Sequence, residues 1–225
     1  IGRFEGVQEA LARIAGNPYI IDAARSVTIA ALDRGEKPAV PAGILKYHCT
    51  ELGRDVANDA MDIHGGKGIM RGPKNYLSSG YDSVPVAITV EGANILTRSL
   101  MIFGQGAIRC HPFVLEEIHA AQDEDRRRGL ERFDKALFGH IGFAFSNAAR
   151  ALVMGITRAR FAEAPGEGPT HRFYQHITRY SAAFALVSDV AMLTLGGALK
   201  KKEMLSARLG DILSNLYLAS MVLKH

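Results

Sequence analysis

"GILKYHCTELGRDVANDAMDIHGGKG", residues 43 to 68, decides the fold. Ile44, His48, Leu52, Val56, Ala60 and Ile63 recur in steps of four and three, so a single helix carries them along one stripe. The stretch then meets His64-Gly65-Gly66-Lys67-Gly68, too rich in glycine to continue a helix. The same spacing extends outward. Val7 to Leu32 reads as a helix stopped by Asp33-Arg34-Gly35 and by Pro38 and Pro41. Further helices are expected from about Gly92 to Phe103 and from Pro112 to Ala121, where Pro112 suits a first helical turn. Residues 64 to 89 read as an ordered loop, because Gly72 to Pro85 carries two prolines, two glycines and three serines.

Gln122 to Gly129 is densely charged and reads as the boundary between two modules, 1–122 and 130–225. Beyond it Phe133 to Ala162 is expected to be helical, and Glu163-Ala-Pro-Gly-Glu-Gly-Pro169 to be a loop. Phe173, Ile177, Tyr180, Phe184, Val187 and Ala191 form one apolar seam, and Leu205, Leu209, Ile212, Leu216, Ala219 and Leu223 another. Both are expected to face the core of a second bundle, with Gly196-Gly197 ending the helix between them. No convincing alternation of period two appears anywhere, so the predicted fold is all-α.

Composition narrows the function. The 225 residues are 48% hydrophobic with a mean hydropathy of +0.03, which suits one large core or two smaller ones. Lys and Arg exceed Asp and Glu by 27 to 23, spread thinly except at Arg126-Arg127-Arg128 and Lys200-Lys201-Lys202. That pattern argues against a nucleic-acid surface. Cys49 and Cys110 form no framework, and a reduced cytoplasmic setting fits them. No uninterrupted apolar run reaches the roughly 18 residues of a membrane span. Glu203 to His225, behind the lysine run, is amphipathic, and ordinary packing is favoured over peripheral membrane contact. Because the chain opens at Ile1 within a helical pattern, a piece of a longer polypeptide is expected.

Chemistry resides in few places. Gly65-Gly66-x-Gly68 follows a helix, not a strand, so the dinucleotide-fold fingerprint lacks its context. Two adjacent glycines still let the backbone approach an anionic ligand, although by composition alone a plain helix C-cap and turn is the favoured reading. Glu91 in "VEGANILTR" (90 to 98) is either a helix-start acid or a base. The eight histidines are scattered, and no metal site is expected.

Taken together, "NDAMDIHGGKGI" (58 to 69), the connecting stretch and "VEGANILTR" resemble the C-terminal four-helix-bundle domain of the flavin-dependent acyl-CoA dehydrogenases. The opening "IGRFEGVQEALARIAG" resembles the start of that family's first bundle helix, so the likeness covers residues 1 to 121. "AITVEGANILTRS" and "IFGQGAIRCHP" are similar in particular to the long bacterial members of fatty-acid β-oxidation. Those members carry an additional C-terminal helical region, which would account for 130–225.

The resemblance implies FAD as cofactor and a fatty acyl-CoA as substrate, oxidised to a trans-2-enoyl-CoA. Glu91 would be the base that removes the α-proton, with Val90 and Gly92 flanking the thioester. An apolar cavity around Glu91 would raise its pKa, and its backbone N–H would polarise the thioester carbonyl. Gly65 and Gly66 would lie against the FAD diphosphate and adenine, often of the neighbouring subunit, beside Asp62 where the family usually has Gln. Asn94 would be a further cofactor contact, within Ala93-Asn94-Ile95, which replaces a polar triplet. Glu5 stands for a usual Gln, and Ser83 for an Arg. A homo-oligomer and an electron-transfer flavoprotein as acceptor are implied as partners. A non-catalytic helical interaction module and an acyl-CoA oxidase are the alternatives. The domains that would cradle flavin and substrate lie outside these residues, so the chain alone is expected to bind FAD weakly and to be inactive.

Overall fold

The computed structural model describes residues 1–165 and 168–225, and among the described residues the regular structure is helical throughout. The helices are α1 (Glu5–Asp33), α2 (Ala39–His64), α3 (Gly66–Ile69), α4 (Ser78–Thr89) and α5 (Asn94–Leu96), which leads into a π-helical stretch, Thr97–Gln105. Then come α6 (Gly106–Cys110), α7 (Val114–Ala121), α8 (Arg126–Ile156), α9 (His171–Leu195), a 3₁₀ turn at Gly196–Lys200 and α10 (Glu203–Lys224). Two compact units result: Ile1–Arg98 with Lys224–His225, and Ser99–Leu223.

In the first unit α1 packs along α2, and α4 packs on α2. Ala23 and Ala24 are wholly buried, and such small side chains let helices approach closely. Arg13 on α1 donates to both carboxylate oxygens of Asp59 on α2, at 2.9 and 2.6 Å. This hydrogen-bonded pairing holds the Asp59 carboxyl below its usual range. Gly35, at φ +82°, ends α1 as expected: its N–H donates to Leu32 O, and that of Glu36 to Ala31 O.

The expectation of a loop over 64–89 is overturned by α3 and α4. Leu77, Tyr81, Val84 and Ile88 keep a helical four-three-four spacing beneath the glycine and proline composition. Asn75 Oδ1 accepts from the N–H groups of Leu77 and Ser78, supplying the cap that starts α4. Packing on α2 then outweighs the poor propensity of Gly80 and Pro85.

In the second unit the expected module boundary at Gln122–Gly129 is a tight α7–α8 turn. Its charges pair with one another. Asp125 caps α8 by accepting from the Arg127 and Arg128 N–H groups. The nearly buried Asp123 carboxylate accepts from Arg128 at 2.6 and 2.9 Å and from Arg132 at 3.0 Å. Gly129 sits where an added Cβ would lie 2.7 Å from Ala120 O, and Gly139 where it would lie 2.5 Å from Phe113 Cε1.

Because its cap is Asp125, α8 begins earlier than the expected Phe133, and it ends at Ile156 rather than Ala162. A turn through Arg158 and Ala159, both at positive φ, follows it. The Ala159 N–H donates to Met154 O, and its methyl is buried with Met154 and Ala182. Of the expected 163–169 loop, Gly166 and Glu167 lie outside the described residues. Gly196, at φ +48°, ends α9 as expected.

The two long seams are only partly closed into a core, through Phe184, Ala191 and Leu209. Phe173, Tyr180 and Val187 stay 47–60% exposed and Ile212 45%, and the seams face each other across an open trough of about 840 Å³. Beside Leu209, helix α10 buries Ser206, Gly210, Ser214, Leu218 and Met221. The closed core of this unit is Phe103, Leu199 and Leu209, with Phe184 edge-on to Phe103. His171–Lys200 is long and apolar enough to cross a membrane by length and composition, and α9 within it packs along α8.

Candidate functional site

Residues Val90 to Ala93 join α4 to α5 in the first unit. The Val90 N–H closes the last turn of α4 on Val86 O, and the next backbone bond is from Thr97 N–H to Ala93 O. Between them, and among the described residues, the Glu91 amide has no backbone partner. Glu91 adopts φ +56°, a left-handed conformation that disfavours any side chain, and Gly92 follows at φ +92°. This double reversal turns Val90 and the Glu91 side chain outward, where both are exposed.

Asn94 anchors the junction from beneath. It is 3% exposed; its Oδ1 accepts from Lys46 Nζ at 2.5 Å, and its Nδ2 donates to Thr50 Oγ1 and Glu51 Oε1. Lys46 also donates to Ile88 O, tying the end of α4 to the same patch of α2. Both side-chain polar atoms of Asn94 are thus used inside the unit, where they pin the junction to α2. The signal missed in the sequence is Lys46-x-x-x-Thr50-Glu51, one turn of α2 facing a residue more than forty positions away.

The glycine turn lies at the C-terminal end of α2. Gly65, at φ +54° and ψ −133°, caps the helix with its N–H on Met61 O, and Gly68 N–H returns to Gly65 O. Gly68 is there for packing: a Cβ would meet Met61 Sδ at 3.2 Å. Gly66 is different. Its φ is ordinary, it is exposed, and a Cβ would meet nothing within 4 Å. Neither conformation nor packing inside the chain therefore requires glycine at 66, and the bare backbone of 65–66 is a cradle that a bulky ligand can approach. Asp62 is exposed beside it, and Lys67 Nζ lies 5.6 Å from the ring centroid of Tyr76, whose hydroxyl hydrogen-bonds His64 Nε2.

Glu51 and Gly65 are 14 positions apart on α2 (65 − 51), about 21 Å at 1.5 Å per residue. The Glu91 junction is therefore anchored around the middle of α2 while the glycine turn caps its C-terminal end, so the two do not share one small pocket. Cys49 and Cys110 are free thiols, and burial raises the Cys49 pKa, which makes it a poor nucleophile.

The first unit thus presents a strained, exposed carboxylate beside the middle of α2 and a bare glycine turn at the end of that helix. Residues 1–102 match the family model of the acyl-CoA dehydrogenase C-terminal domain. Residues 108–225 match that of the acyl-CoA dehydrogenase C-terminal, bacterial type. The chain belongs to the acyl-CoA dehydrogenase family. No solved structure matches it.

Proposed function

We propose that this chain is the C-terminal part of an FAD-dependent acyl-CoA dehydrogenase that converts fatty acyl-CoA to trans-2-enoyl-CoA, with Glu91 as the base. The single observation behind this reading is the left-handed Glu91 between two helix ends: a strained acid is retained where glycine would be comfortable. A plain helix-start acid needs no such conformation.

Glu91 accepts the α-proton, forming a carboxylic O–H as the α C–H bond breaks. Its unpartnered amide N–H is free to donate to the thioester oxygen as negative charge grows there. Val90 and Gly92 leave room for the thioester on either side. FAD, if bound, would supply the hydride acceptor that balances the two-electron oxidation. Gly65 and Gly66 would admit the cofactor's phosphate backbone, with the exposed Asp62 beside them. Lys46, Thr50 and Glu51 hold Asn94 and through it the junction. An electron-transfer flavoprotein as acceptor, a homo-oligomer and a cytoplasmic setting go with this reading.

The test is spectroscopic. The full-length protein should purify with a flavin spectrum that bleaches when an acyl-CoA is added. Glu91→Gln should keep the flavin and slow bleaching by about 10²–10⁴-fold, the range for loss of a general base. Unchanged bleaching in that variant would remove Glu91 from the role.

A further inference from the structure

The second unit carries a pocket of about 620 Å³ that is partly open to solvent, with Val190 and Leu193 exposed at its edge. Its walls are apolar, among them Ile108, Ile118, Leu137, Ile141 and Leu186, and its polar lining includes Glu117, His140 and Asp189 from α7, α8 and α9. The geometry of these groups is fixed. His140 Nδ1 is 2.8 Å from Glu117 Oε1, and its Nε2 is 3.5 Å from Asp189 Oδ1. His111 Nε2 lies 2.9 Å from the same Asp189 oxygen. Asp189 Oδ2 has no hydrogen-bond partner in the described structure, although the side chain is nine-tenths buried.

Two imidazoles and a carboxylate this close suggest a metal, but His111 argues against one. Its Nδ1 accepts from the backbone N–H groups of Phe113 and Val114, so in the neutral ring the proton is on Nε2, where it donates to Asp189 and leaves no lone pair for an ion. Burial lowers the His111 pKa and favours that neutral ring. Of the more enclosed polar groups, two carboxylates therefore face at most one imidazolium, His140, while the other charge in the lining, Lys200, is exposed to solvent. Apolar walls of this size over a few convergent polar groups are the usual make-up of a small-molecule site.

We infer that this cavity binds a cationic amphiphile, an alkyl chain against the apolar walls with an ammonium head seated on the Glu117 and Asp189 carboxylates. Such a head supplies the donor that Asp189 Oδ2 lacks, whereas a fatty carboxylate would meet like charge at the enclosed end of the cavity. The site is independent of Glu91, being built in the other unit.

Calorimetric titration of the full-length protein with n-octylamine, n-octanol and octanoate at neutral pH tests this. One octylamine per chain should bind about tenfold or more tighter than octanol, with octanoate weakest. Glu117→Gln or Asp189→Asn should bring octylamine down to the octanol level, while Ala144→Leu, which fills the cavity, should weaken both. Octanoate binding as tightly as octylamine, or octylamine binding untouched by all these variants, would overturn the proposal. So would stoichiometric Zn²⁺ binding that is lost in His140→Gln, because it would make the cluster a metal site.

Discussion

At Glu91 a left-handed backbone holds a side chain that would relax elsewhere, and such strain costs on the order of 1–3 kcal/mol. Glu91→Gly should therefore raise stability to urea by about 1 kcal/mol while abolishing acyl-CoA oxidation. Gly66→Ala should likewise stabilise α3 slightly, by about 0.5–1 kcal/mol, since nothing in the chain meets the new methyl. The same variant should purify with less bound flavin, because the methyl occupies the cradle; full flavin content would show that the cradle holds no cofactor. Glu91 and the glycine turn were legible in the sequence because Val-Glu-Gly and Gly-Gly-x-Gly are local patterns. The inward turn of Asn94 was not, because its partners Lys46, Thr50 and Glu51 are remote in the chain. The cluster of His111, His140 and Asp189 was hidden for the same reason: its members come from separate segments and share no motif.

Among the elements, α1 and α2 were readable from periodicity, since each buries a stripe and ends at glycine. Helix α4 was not, because composition argued for a loop and only the cap at Asn75 and the packing on α2 settle the matter. The α7–α8 pair rests on close approach. Gly139→Ala would place a methyl 2.5 Å from Phe113 and should destabilise by about 1–3 kcal/mol in chemical denaturation. Gly129→Ala should be worse, because the obstacle is the backbone oxygen of Ala120 and not a side chain that can rotate. Gly142→Ala on the same helix meets nothing and should be neutral or gain up to about 1 kcal/mol. Equal effects of the three substitutions would mean that propensity, not packing, governs α8.

Across the whole molecule, acid should weaken both units through groups whose folded pKa values are depressed. Burial lowers that of His111, so below its ordinary value of about 6.5 the unfolded chain binds a proton that the folded one resists, and stability falls with pH. His111→Gln should flatten thermal melting between about pH 7 and 5 if that is right. At lower pH, Arg13 holds down the Asp59 pKa and Arg128 that of Asp123. Their stabilisation is fully present above the ordinary carboxylate value of about 3.9 and is lost as pH falls through the depressed folded values. Asp123→Asn should remove part of this acid sensitivity. The Asp123 clamp also bears on protease sensitivity. Arg126-Arg127-Arg128 looks like an ideal tryptic target in an exposed linker, but cleavage needs a segment that can unfold into the protease. Here the basic run is the first turn of α8, capped by Asp125, with Arg128 bound to Asp123. Limited trypsin digestion should leave 122–129 intact until the α7–α8 pair melts, and Asp123→Ala should make the run one of the first places cut.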